Sequence, residues 1–399
     1  MTREVPRTRK ANLVMPLIPV LLLLASLLLT GPAPGVRRVS ASNHLSPANI
    51  FQVFELDGDL IDNPPGLPFD WNTVNAIPVS SNVAPMIAHT GLIRDPAPSS
   101  IFTTAGSRDN NDITEWRHST GTVQDKGDIS NAYAAAFLQN NELIFVVGAD
   151  RVEGGDGTLG FWLLQKRVVA AADGTFRTGP LNTDPLARHT IGDLLVIVEF
   201  SRSFGTLKIF EWVGSSGSEI GGTLNEVTGT YPIGSVFALS NDAPQKAPWL
   251  YVPKKGPAGT IPASAFFEGA VNVGVVLPGA AFLCTPTFLV ATRGSTSVSG
   301  QLQDFVLSSF RPVVSIQDAV TCEATPTTLP SSLSEGTPPY SLNATATGGL
   351  DVFVRGITIG ATTPGGPPGE YQIATTATDA NGCIGSATGT LKILAKPCL

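Results

Sequence analysis

Apolar residues in this chain come in short runs, and the brevity of those runs is what most restricts its fold. Leu143–Val147 (LIFVV), Gly160–Gln165 (GFWLLQ), Leu194–Phe200 (LLVIVEF) and Leu207–Val213 (LKIFEWV) are each a few residues long, rich in β-branched or aromatic side chains, and bracketed by Gly, Asp or Asn. Such runs suit strands rather than helices, which need an apolar stripe sustained over ten or more residues. Alternation at Ile50–Leu56 predicts a first strand ending at the Asp57-Gly58-Asp59 turn, and Gly205 suits a hairpin turn between the last two runs. The Ala-rich stretch 131–138 has helical propensity, but it leads into an Asn140-Asn141 turn and a strand, so a strand is preferred; Gln301–Phe310 stays open between the two. With 41 Gly, 32 Pro and only 14% charged residues, the expectation is all-β: a jelly-roll-like β-sandwich over residues 44–312, followed by a smaller Ig-like β-sandwich over 313–396.

The N-terminus has a separate logic. Arg3, Arg7, Arg9 and Lys10 precede an uncharged, mostly apolar run from Leu13 to Leu29, the build of an export signal. The run is close to a membrane span in length, so residues 1–41 read as a signal peptide cleaved near Ala41, after Val39-Ser40-Ala41, or as an uncleaved anchor. Only in the second case does the chain meet a membrane. Residues 1–41 carry six Lys/Arg and one Glu, a net +5, so their removal takes the whole-chain charge of −7 to −12. An acidic surface repels phosphate backbones, and nucleic acid is not an expected partner.

Beyond Phe310-Arg311-Pro312 aromatic residues thin out and Thr, Ser, Pro and Gly take over. Gly336-Thr337-Pro338-Pro339-Tyr340, then Gly369, Tyr371, Thr378, Asp379, Asn381, Gly382 and Cys383 make residues 313–396 resemble the Ig-like repeats of bacterial surface proteins, of PKD type or gliding-adhesin type. The resemblance implies a spacer or adhesive module. The larger part carries Phe54-Glu55-Leu56-Asp57-Gly58, Gly106–Ile113, Asp125–Tyr133, Gly148-Ala149-Asp150-Arg151, Gly160-Phe161-Trp162 and Gln303-Asp304-Phe305. On these segments it resembles a family of exported bacterial proteins to which no activity is attached, and its strand–turn pattern is similar to concanavalin-A-like and laminin-G-like sandwiches.

Four cysteines, Cys284, Cys322, Cys383 and Cys398, invite disulfides in an exported chain. Cys322 and Cys383 sit at opposite ends of the Ig-like part, and their pairing is the favoured one; it would close a loop of roughly 60 residues. Cys284, in an apolar stretch, reads as a buried thiol. No CxxC or Cys/His spacing suggests zinc.

Acidic residues gather at turns: Asp57 and Asp59; Asp109, Asn111 and Asp112; Asp125 and Asp128; Asp150 and Asp156. Calcium takes six to eight oxygens from such groups, and sandwich loops at one end converge, so Asp109, Asn111, Asp112, Asp125, Asp128, Asp150 and Asp156 are candidate calcium ligands. The competing reading is ordinary turn chemistry, in which Asx side chains bond nearby backbone amides. The EF-hand pattern is met only loosely, at 57–59. Of the tryptophans, Trp162 and Trp212 lie in apolar runs and read as core, whereas Trp71 and Trp116 have polar neighbours and are the candidates for an exposed sugar-stacking contact.

Catalytic motifs are weak. Glu55-Leu56-Asp57 is similar to the start of a jelly-roll glycosidase strand, but Leu60 stands where the last carboxylate is needed. There is no G-x-S-x-G, and His44, His89, His118 and His189 stand apart. The expectation is therefore a non-catalytic secreted or cell-surface protein acting in adhesion or carbohydrate binding, with a glycan or cell-surface protein as partner. The rivals are an enzyme acting on an extracellular polysaccharide and a structural surface-layer component.

Overall fold

The computed structural model describes residues 49–398 except 64–67, 78–82, 104–105, 180–181, 202–203, 216–217, 230, 279–286, 311–312, 324, 335–338, 357, 362–366 and 380–382. The expected leader, Cys284, Gly336–Pro338 and Asn381-Gly382 lie outside the described residues. No described helix is long and apolar enough to cross a membrane.

The all-β expectation holds. In the larger part the strands are β1 (Met86–His89), β2 (Ile93–Arg94), β3 (Ser99–Phe102), β4 (His118–Gly121), β5 (Ile129–Gln139), β6 (Glu142–Arg151) and β7 (Gly157–Leu164). After the small ribbon β8 (Val169–Ala170) and β9 (Phe176–Arg177) come β10 (Leu194–Ser201), β11 (Phe204–Ser215), β12 (Ser218–Glu226) and β13 (Val236–Ser240). A second ribbon, β14 (Gln245–Lys246) and β15 (Thr260–Ile261), precedes β16 (Phe266–Asn272), β17 (Thr287–Arg293) and β18 (Leu302–Ser309). Outside the two ribbons they form one 14-stranded sheet ordered β1-β5-β6-β16-β13-β11-β10-β7-β17-β18-β3-β4, with β12 on β11 and β2 on β5.

Strands β17 and β18 come back against β5, so the sheet folds over on itself and encloses a core. Alternate side chains point into it: Ala132, Ala134 and Ala136 of β5, Phe145 and Val147 of β6, Phe161 of β7, Val196 and Val198 of β10. The intervening side chains are buried as well. On the β5–β6–β16 half, Tyr133, Phe137, Ile144 and Phe266 pack beneath residues 50–60 and 69–76, where Phe54, Phe69, Trp71 and Val74 form the cover. On the β7–β10–β17 half, Trp162, Leu195, Ile197 and Leu289 pack beneath Ile113, Trp116 and Phe176. A sheet buried on both faces reads as continuous apolar runs rather than strict alternation, which is why LIFVV and LLVIVEF look as they do. The Ala-rich stretch is a strand for the same reason: small residues on its inner face leave room for the large ones opposite.

Asn140 (φ 52°) and Asn141 (φ 64°) make the expected tight turn between Gln139 and Glu142, which pair across β5–β6; the two left-handed residues are those of a type I′ hairpin. The β10–β11 hairpin also forms, but Gly205 sits in the ladder opposite Phe200 rather than in the turn. The first expected strand does not form. Ile50–Gln52 is a 3-10 helix capped by the Asn49 side chain, and Phe54 makes a single bridge to Phe69.

Residues 313–394 supply β19 (Val313–Ile316), β20 (Ala319–Cys322), β21 (Thr327–Leu329), β22 (Ser331–Ser334), β23 (Ser341–Ala346), β24 (Val352–Arg355), β25 (Thr358–Ala361), β26 (Gly369–Thr378) and β27 (Ile384–Leu394). Among the described residues these pair as β20-β27-β26-β23, β21-β25-β24 and β19-β22, with no ladder to the larger sheet. Their core holds Ile316, Leu329, Leu350, Tyr371, Ile373, Leu391 and Ile393. The quoted motif residues shape turns: Tyr371 Oη donates to the Pro367 carbonyl at 2.6 Å, and Asp379 Oδ1 accepts the Cys383 N–H at 2.8 Å. The disulfide expectation is corrected. Cys322 pairs with Cys398, and Cys383 is disulfide-bonded but not to Cys322. The cause is topological: β27 runs parallel to β20 with Leu394 beside Cys322, which returns the C-terminal tail to that cysteine.

Because β5 is packed on both faces, enlarging an inner alanine should be costly. Ala134, 1% exposed, has no room to grow, and Ala134→Leu is expected to destabilise the fold by about 1–3 kcal/mol. Urea titration should show the midpoint falling, and an unchanged midpoint would contradict tight packing on the inner face.

Candidate functional site

Ends of β6, β10 and β17 and the starts of β7 and β18 meet at one rim of the folded sheet, around a polar cavity of ≈ 380 Å³. Its walls include Arg151, Arg293, Glu199, Asp156, Gln124 and Gln303. This volume is in the range of small-ligand sites, roughly 300–1,000 Å³.

Two buried guanidiniums organise the cavity. Arg151, closing β6, donates from Nη1 to the Lys126 carbonyl at 2.7 Å and from Nη2 to the carbonyls of Gly155 at 2.5 Å and Ser264 at 3.1 Å. Its guanidinium lies 4.6 Å from the centre of the Phe267 ring, and burial pulls its pKa down to about 10, against the charges of Asp156 and Glu153. Gly157 makes this possible, since a Cβ there would stand 2.1 Å from Arg151 Nη1. Arg293, on β17, is ion-paired with Asp109, which also accepts the Trp162 Nε1–H at 2.8 Å; burial pulls the Arg293 pKa down to about 9. Asp156 and Glu199 are the exposed carboxylates of the rim.

A second network lies behind the wall formed by Gly127 and Thr292. Carboxylate oxygens of Asp95, Asp128 and Asp304 lie within 4.8 Å of one another, and Lys254 pairs with two of them, Asp95 and Asp128. Its ammonium donates to Asp128 Oδ1 at 2.5 Å and Ser99 Oγ at 2.8 Å and pairs with Asp95. Burial pulls the Lys254 pKa down, but hydrogen bonds to Asp128 and Asp95 outweigh it and hold the pKa above the ordinary lysine value. Asp304 Oδ2 accepts the Ile129 N–H at 2.6 Å, and its Oδ1 is buried without a hydrogen-bond partner. Burial, with the Asp95 charge beside it, pushes the Asp304 carboxyl up to about 8.

The expected calcium ligands do not converge. Among the described residues only Asp128 of the seven belongs to a cluster of three acids, and Lys254 answers its charge. Asp109 is the counter-ion of Arg293, and Asp125 pairs with Lys255. Asp112 caps the 3-10 turn Ile113–Glu115. Asn111 donates to the Gly106 carbonyl and to Glu115, both at 3.0 Å. Asp150 is wholly buried and accepts from Tyr133 Oη at 2.5 Å, Tyr251 Oη at 2.6 Å and Asn131 Nδ2 at 3.1 Å; burial pushes its carboxyl up to about 6 despite those bonds. Only Asp156 stands free at the cavity rim.

The tryptophan expectation is corrected too. Trp71 and Trp116 are both 0% exposed, because each indole N–H finds an internal acceptor: Glu268 Oε2 at 3.1 Å and the Arg108 carbonyl at 2.8 Å. Trp162 and Trp212 are core as expected, and they flank His189, whose ring lies 4.4 and 4.3 Å from theirs. Arg151, Arg293, Glu199 and Gln303 carried no sequence signal of a cavity, since the strand ends that unite them are far apart in the chain.

No family model matches the chain, and no curated protein matches it. Among solved structures, mouse cadherin-23 EC22-24 aligns over 78% of this chain and 86% of its own, at 10% identity and a TM-score of 0.18. Sidekick-1 immunoglobulin domains 1-4 align over 79% and 97%, at 10% identity and a TM-score of 0.17. At such scores neither likeness carries an argument.

Asp304 gives the network a pH signature. An acid whose folded pKa exceeds its unfolded value holds its proton more tightly when folded, so its folded state is penalised as pH rises. For Asp304 the penalty is absent below its ordinary value of 3.8 and fully developed above about 8. Asp304→Asn keeps an acceptor for Ile129 N–H and removes the titration. Its melting temperature should decline less than the wild type's between pH 4 and 8, and parallel profiles would show that Asp304 is ionised throughout.

Proposed function

We propose that this protein is exported and acts outside the cell as a non-catalytic binding protein, in adhesion or carbohydrate recognition, with the polar rim cavity as its binding site. The cavity carries the reading. The Arg151 guanidinium held by backbone carbonyls, the Arg293 guanidinium held by Asp109, side-chain amides and exposed carboxylates offer both donors and acceptors to a ligand dense in hydroxyls or carrying an acidic group. Rigid walls favour recognition, because little ordering is needed on binding. Export is supported by the cystines, which persist in oxidising compartments, and by the basic–apolar leader pattern. A glycan or the sugar of a cell-surface protein is the partner class this chemistry fits.

A hydrolytic reading rests on Asp156 and Glu199, two acids lining one cavity, as an enzyme acting on an extracellular polysaccharide requires. A glycan array probed with the mature chain should return binding to a restricted set of neutral or acidic glycans. Gln303→Ala and Glu199→Gln should weaken it by roughly tenfold, the loss of a hydrogen bond to the ligand, while leaving the melting temperature in place. Release of new reducing ends from a bound polysaccharide would overturn the non-catalytic reading. Binding that survives both substitutions would move the site elsewhere.

A further inference from the structure

We propose that Asp57, Asp59 and Asp70 form a binding site for a divalent cation, calcium by its donor set, within the segment that covers the β5–β6–β16 face. The site is independent of the rim cavity and of the acids considered from sequence at 109–156. Carboxylate oxygens of the three aspartates lie within 4.8 Å of one another. Calcium takes six to eight oxygens and accepts several carboxylates, whereas magnesium keeps most of its water and is usually held by one or two. A trio of carboxylates is therefore the donor set of calcium rather than magnesium.

Local structure shapes the site. Gly58 takes φ +89°, and a Cβ on it would meet Leu239 Cδ1 at 2.7 Å, so the chain turns there hard against β13. Gly58 N–H donates to Glu268 Oε1 at 2.7 Å. On either side, Asp57 Oδ1 accepts the Asp59 N–H at 3.0 Å and Asp59 Oδ1 accepts the Ile61 N–H at 2.7 Å, bonds that hold both carboxylates in place.

The decisive group is Asp70. It is 0% exposed; one oxygen accepts the Trp71 N–H at 2.5 Å, and the other, Oδ2, is buried with no hydrogen-bond partner. A carboxylate oxygen left bare beside two other carboxylates is the feature a cation would satisfy. Nor does the protein supply its own charge. Among the described residues no Lys or Arg pairs with Asp57, Asp59, Asp70 or the buried Glu268 behind them, in contrast to Lys254 in the other trio. Asp57 is exposed and Asp59 half-buried, which leaves a path from solvent. An ion here would fasten the 55–71 segment to β16, where Glu268 already receives Gly58 N–H and Trp71 Nε1–H.

Calorimetric titration of the mature chain with calcium, paired with terbium luminescence excited through Trp71, tests this. The wild type should bind a single calcium, melt at higher temperature with it, and sensitise terbium. Asp70→Asn, and the surface-facing Asp59→Asn in case Asp70 is needed for folding, should each weaken calcium by roughly tenfold or more, while Asp125→Asn titrates like the wild type. Absence of heat and of luminescence in the wild type would overturn the site. So would an Asp59→Asn protein with wild-type affinity, or an effect confined to Asp125→Asn. Equal affinity for magnesium would overturn the assignment to calcium.

Discussion

A sheet buried on both faces is the constraint from which the rest of this molecule follows. Because successive side chains of a strand point to opposite sides, β5, β6, β7, β10 and β17 must satisfy two environments with one sequence. One set closes the inner core, and the other needs a cover, which residues 50–60 and 69–76 and the loops around Trp116 and Phe176 provide. The cover is thus part of the packing and not a tail. Burial of an aromatic such as Trp71 or Phe54 contributes about 2–3 kcal/mol, so detaching the segment would expose a large apolar area on β5 and β16.

Double coverage also explains the electrostatics. Loops that cover a sheet carry polar residues inward, and each buried charge needs an answer. Asp109 is answered by Arg293, Asp95 and Asp128 by Lys254, and Asp150 by two tyrosines and an asparagine. These bonds brace the rim from behind and leave Gln303, Glu199 and Asp156 facing the cavity. The group at Asp57, Asp59 and Asp70 lacks an internal answer, and it sits where the cover meets the sheet.

What could be read from sequence was local. The runs at 143–147, 160–165, 194–200 and 207–213 are β6, β7, β10 and β11, and Asn140-Asn141 is their kind of turn. The 50–56 alternation misled because its apolar side chains pack down onto the sheet from above rather than within a ladder. Site residues depended on partners far away: Lys254 lies 126 residues from Asp128 and Glu268 lies 197 from Trp71. Polar neighbours made Trp71 and Trp116 look exposed, because no local pattern shows that an indole N–H has an acceptor in the interior. Asp57 and Asp59 were visible as an acid-rich turn, but Asp70 is brought to them by tertiary pairing, the Phe54–Phe69 bridge and the Asn72 N–H bond to the Leu60 carbonyl.

Hydrogen exchange of the mature chain, read by mass spectrometry, tests the double-covered sheet most directly. Amides of residues 53–60 and 69–76 that are bonded to the fold should be protected to the same degree as those of β5 and β6, exchanging only with global unfolding. Exchange of that segment on the timescale of a free loop, with β5 and β6 still protected, would contradict the account.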